Sequence, residues 1–130
     1  MSYYFSKVLP RKSYDEAKEL VTEELKKEGF GILSEIDVQA TLKKKIDVDI
    51  QRYTILGACN PHFAHKAISE EDKIGVFLPC NVLVKEKKDG LIEVVAVDPI
   101  SSMSSVQNES LGEIAIEVQS KLKKVIENLG

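Results

Sequence analysis

The residues of this chain best suited to chemistry gather in two short segments, Ala58-Cys59-Asn60-Pro61 and Leu78-Pro79-Cys80-Asn81, which hold both of its cysteines. Each cysteine precedes an asparagine and lies close to a proline. Proline fixes φ and lacks an N–H, and asparagine readily hydrogen-bonds nearby backbone, so both thiols stand where regular structure breaks. Cys59 comes just before Asn60 and Pro61, an N-cap and first residue that open a short helix through about Ser69. Unpaired N–H groups at such an end favour a thiolate, which is a nucleophile or a metal ligand. Cys80 keeps phase with Val76, Leu78, Val82 and Val84 and reads as a small buried hydrophobe.

His62 and His65 share one face of that short helix, with Ala64, Ala67 and Ile68 on its buried side. With Cys59 they write Cys-x-x-His-x-x-His, a partial zinc site in which Cys80 or water supplies the fourth ligand. The same histidines also read as solvated surface residues, because no carboxylate is placed behind them. Three functions stay open. A binding module would line a small pocket with Cys59, Asn60, Cys80 and Asn81, with Asp37 as a further ligand-binding residue. An enzyme would use Cys59 as nucleophile, His62 or His65 as base and Asp37 as orienter. Geometry disfavours that arrangement, since a histidine right after Pro61 points away from its own helix N-terminus. In a structural dimer, Asn60 and Asn81 would only satisfy backbone at a cap and a bulge. No glycine-rich phosphate loop, carboxylate pair or cofactor fingerprint is present.

The elements that must position these residues are legible. Tyr3 to Leu9 alternates as a strand. Ser13 and Glu16 form a capping box, and Tyr14, Ala17, Leu20, Val21 and Leu25 follow at helical spacing up to Gly29. Phe30 to Val38 reads as a strand with Phe30, Ile32, Ile36 and Val38 on one face; Asp37 lies opposite or caps a short helix over Val38 to Lys45. The Lys43-Lys44-Lys45 run then sits at a helix C-terminus, where cations are favoured. Further strands are expected over Arg52 to Ala58, over Lys73 to Lys87 with Pro79 inside, and over Leu91 to Val97 after an Asp89-Gly90 turn. Ile100 to Ser105 is a serine-rich loop. From Val106 onward, Leu111, Ile114, Ala115, Val118, Leu122, Val125, Ile126 and Leu129 mark a long final helix over Val106 to Leu129.

The order strand, helix, four strands, helix predicts an α+β fold: a mainly antiparallel five-stranded sheet in one domain over residues 1–130, with two long helices on one face and two short helical insertions. Ile92, Val94 and Ala96 alternate with Leu91, Val95 and Val97, so the last strand is apolar on both sides. The uncovered face therefore calls for a second subunit, a ligand or the insertions, and a homodimer is expected.

At 130 residues the chain has room for one core. Its net charge of −3 argues against nucleic acid as a partner. No run approaches the roughly 18 apolar residues of a membrane span. The N-terminus lacks the pattern of a secretory signal, so a cytoplasmic location and free thiols are expected.

Gly29-Phe30-Gly31-Ile32, Glu35-Ile36-Asp37-Val38, Ile55-Leu56-Gly57-Ala58-Cys59-Asn60-Pro61 and Leu78-Pro79-Cys80-Asn81-Val82 resemble the domain of unknown function 302 family over nearly the whole chain. The resemblance implies a TATA-binding-protein-like α+β fold and homodimers, and carries no established activity.

Overall fold

A computed structural model describes residues 2–130. β1 (Tyr4–Leu9) leads into α1 (Tyr14–Lys27), whose start is fixed by a reciprocal cap. The Ser13 hydroxyl accepts from the Glu16 N–H at 3.1 Å, and the Ser13 N–H donates to Glu16 Oε1 at 2.9 Å. The helix ends where Gly29 takes φ 86°, while the Phe30 N–H reaches back to the Leu25 carbonyl and that of Gly29 to Lys26. This turn delivers the chain into β2 (Gly31–Asp37).

α2 (Val38–Ile46) begins with the Asp37 carboxylate accepting from the Ala40 N–H and ends in the expected lysines, Lys43 pairing with Asp47 at 2.8 Å. β3 (Tyr53–Cys59), α3 (Pro61–Glu70), a 3-10 turn over Asp72–Phe77, β4 (Cys80–Glu86) and β5 (Ile92–Val97) follow. One helical turn, α4 (Pro99–Ser102), precedes α5 (Glu109–Glu127). The strands form one antiparallel sheet in the order β1-β5-β4-β3-β2.

α1 and α5 lie on the same face, as their periodicity requires. Val21 and Leu25 of α1 and Leu122 and Val125 of α5 are wholly buried with Val82, Val84, Val94 and Ala96 of the sheet. Within this core the Tyr14 hydroxyl bonds Thr54 and donates to the Val84 carbonyl at 2.8 Å, so its one polar atom is satisfied.

Three expectations are corrected. The strand expected over Lys73 to Lys87 exists only from Cys80 onward. Pro79 offers no N–H to a ladder, and the residues before it wind into the 3-10 turn, burying Ile74 and leaving Val76 82% exposed. Ile36 does not share a face with Phe30 and Ile32. A bulge between Ile32 and Ser34 leaves Leu33 without a partner and turns Ile36 to the other side, opposite Ile55, while Val38 starts α2. The loop expected at Ile100 to Ser105 contains the last three of the four residues of α4.

The face away from α1 and α5 carries a continuous row, Ile36 beside Ile55, Ile55 beside Leu83 and Leu83 beside Val95. None of the four belongs to either buried cluster. On the same face Gly57 lies between Ser34 and Asn81, and a Cβ there would run into the Ser34 hydroxyl and come within 2.9 Å of the Pro79 ring. Gly57→Ala is therefore expected to destabilise the protein by about 1–3 kcal/mol in denaturant unfolding. Adding Ser34→Ala, which leaves only a Cβ at 3.6 Å, recovers part of that loss.

Candidate functional site

The two cysteine segments meet because β3 and β4 are neighbours and Ala58 pairs with Cys80. Above this pair, the first turn of α3, α4 and the middle of α5 close over a narrow apolar pocket. Its walls include Phe30, Cys59, Asn60, Phe63, Cys80 and Met103, and its free volume is about 30 Å³. That holds a group of one or two heavy atoms before any side chain moves.

Cys80 begins β4 on the core side, in register with Ala58 and in phase with the buried Val82 and Val84. Burial pushes its thiol up from an ordinary 9.0 to about 11, and a charge on nearby Cys59 would push the same way. Cys80 is therefore a neutral, soft contact at physiological pH. Cys59 stands one residue past Ala58, so strand alternation gives it the opposite phase, although it too borders the pocket. Both thiols are free.

Asn60 occupies the N-cap position of α3 but makes no side-chain cap. Instead its Nδ2 donates to the Glu28 carbonyl at 3.2 Å, satisfying an end group of α1. The amide thus ties the C-terminus of α1 to the corner between β3 and α3. A Cβ on Gly29 would lie 3.0 Å from that same nitrogen.

Other expected site residues are not brought to the pocket. Asn81 pairs with Gly57 and lines a separate groove of about 260 Å³ with Phe77, Val97 and Ser102. Asp37 pairs with Thr54, five residues from Cys59 along β3, or roughly 17 Å at strand spacing. It caps α2 and can neither orient a base nor touch a ligand beside Cys59. His62 and His65 are exposed, on the side of α3 opposite Phe63, Ala64 and Ala67, which face the pocket. Among the described residues no three His, Cys, Asp or Glu side chains converge as a metal site. Neither the zinc set of Cys59, His62 and His65 nor the Cys–His–Asp arrangement is assembled.

Sequence reasoning missed Phe63 and Met103. Ile68, expected on the buried side of α3, is 46% exposed, and Phe63 fills that role. The available signal was an aromatic residue one helical turn before Ala67. For Met103 it was a single large apolar residue inside a serine-rich loop.

The raised Cys80 pKa makes stability fall with rising pH. Between about 9 and about 11 the unfolded chain gives up this proton while the native state keeps it, so the contribution present below 9 is lost across that window. Denaturant unfolding is expected to show a fall of up to about 3 kcal/mol there, over and above that of a Cys80→Ala variant.

The family described as Domain of unknown function DUF302 matches residues 5–129. No curated protein matches the chain. Among solved structures, the crystal structure of an uncharacterized conserved protein DUF302 from Bacillus stearothermophilus superimposes with a TM-score of 0.92. It is 25% identical, and the match covers 100% of each chain. The arrangement of sheet and helices described above is thus that of a known family, and the chain belongs to DUF302.

Proposed function

We propose that this domain is a cytoplasmic, homodimeric binding module that holds a small uncharged group in the pocket where Cys59-Asn60-Pro61 meets Pro79-Cys80-Asn81. The observation that carries the reading is that both cysteine segments border one apolar pocket, with Cys80 held neutral. Binding is favoured over thiol catalysis by the surroundings. A nucleophile needs a thiolate and a base, whereas the imidazoles of His62 and His65 lie on the far side of α3. Two free thiols suit a reducing compartment. Among the described residues no helix is long and apolar enough to cross a membrane.

The test uses xenon, an uncharged probe that enters small apolar cavities. Under xenon pressure, NMR signals of Phe63 and Cys80 are expected to shift saturably, and Ala64→Leu, which fills the pocket from α3, is expected to abolish the shift. No shift, or one unchanged in the filled variant, would remove this reading.

The homodimer rests on the open sheet face. Five strands about 4.8 Å apart and about six residues long present roughly 500 Å² in projection, approaching the ~800 Å² that each partner of a standard interface buries. Lys85 and Glu93 lie 3.9 Å apart beside the apolar row, so a two-fold axis through that row can set each against its opposite on the second copy. Light scattering at micromolar concentration is expected to give a dimer mass for the native chain and a folded monomer for Leu83→Lys. A native monomer would defeat the proposal.

A further inference from the structure

The thiol pocket is separated from the groove that contains Asn81 by four residues that border both: Leu78, Pro79, Cys80 and Met103. Three of them are held. The Leu78 N–H donates to the Gly75 carbonyl at 3.1 Å, the Pro79 ring packs over Gly57, and Cys80 is in the β3–β4 ladder. Met103 alone comes from another element, just past α4. Its backbone is fixed, with its N–H on the Pro99 carbonyl and its carbonyl taken by the Val106 N–H, but its side chain is unbranched and adaptable.

That side chain has somewhere to go. Met103 also borders a third groove, about 320 Å³, between the segment after α4 and α5, lined by Ile100, Val106, Gly112 and Ile116. A rotation of Met103 into this space would withdraw the one adaptable side chain from the partition. The thiol pocket then becomes the inner end of the groove of about 260 Å³, and the joined space approaches the ~300 Å³ at the lower limit of small-molecule sites.

We propose that Met103 is the gate of this site and that the ligand is an uncharged amphiphile with a short unbranched tail. The inference rests on the pocket reading above. The inner end is apolar and narrow, which suits a tail. The outer groove contains no charged side chain; its polar groups are Asn81, whose amide can donate and accept, and Ser102, whose hydroxyl donates to the Pro99 carbonyl and keeps its acceptor capacity. Such a lining favours a neutral alcohol or amide head over a carboxylate, because nothing there compensates a desolvated charge.

The probe is 1-hexanol, with hexanoate as the charged comparison. Met1 and Met103 are the only methionines, so a methyl-13C-methionine sample reports the gate directly. Hexanol is expected to move the Met103 methyl signal saturably and to slow alkylation of Cys80 by iodoacetamide, with hexanoate about tenfold weaker or worse. Without ligand, Met103→Ala is expected to speed Cys80 alkylation severalfold, and Met103→Phe to weaken hexanol binding by about tenfold. Equal Cys80 alkylation in the native chain and Met103→Ala, or hexanol binding unchanged in Met103→Phe, would overturn the gate. If Met103→Phe does not fold by circular dichroism, the native methyl signal and Met103→Ala decide. Xenon binding without hexanol binding removes the gate and spares the pocket; failure of both removes the pocket reading as well.

Discussion

The register between β3 and β4 is the constraint on which the rest depends. Ala58 faces Cys80, and from that pair Leu56, Val82 and Val84 all fall on the side covered by α1 and α5. Side chains alternate with period two, so a slip of one residue would turn this buried set outward and expose it to water. The same register sets Gly57 against Asn81, on the open side, where the absence of a side chain lets the Pro79 ring and Ser34 close in. One alignment of two strands therefore fixes the core, the pocket and the half-buried apolar row of the other face together.

Chemistry at the pocket follows from that placement more than from residue type. Cys80, which the sequence phase reads as a small buried hydrophobe, is enclosed by apolar side chains and keeps its proton. Asparagine beside proline suggests a polar contact for a ligand, yet the Asn60 amide is committed to the Glu28 carbonyl. That bond secures the α1 end next to Gly29 and so steadies one wall of the pocket. What remains for the proposed ligand is shape, soft apolar contact and the neutral polar groups of the neighbouring groove.

Local signals were legible and long-range ones were not. The Ser13–Glu16 box, the Gly29 stop, the Asp89-Gly90 turn and the α5 stripe each act within a few residues, and each lies where the sequence puts it. The bulge at Leu33 was hidden because Phe30, Ile32, Ile36 and Val38 keep a period of two across it. The 3-10 turn was hidden because Ile74, Val76 and Leu78 alternate like a strand. Only the missing N–H of Pro79 and the burial of Ile74 alone separate the two forms. At the site, the sequence marked the two cysteine segments but not their relation to Asp37, His62 and His65, which depends on how far along β3 and around α3 each residue sits.

The edges of the sheet bear on how such a domain associates. β1 and β2 are the outer strands, and unpaired outer strands invite a further strand. β2 is interrupted by its bulge and carries Glu35, paired with Lys18, and Asp37, committed to α2. β1 runs into Pro10, and its Lys7 ammonium is held by the Glu127 carbonyl at the end of α5. Bulge, charge and proline all oppose growth by edge pairing. The face is built differently, with a continuous apolar row beside the Lys85–Glu93 pair. The edges are thus guarded against open-ended strand addition, and a homodimer of the kind proposed would form across the sheet face instead.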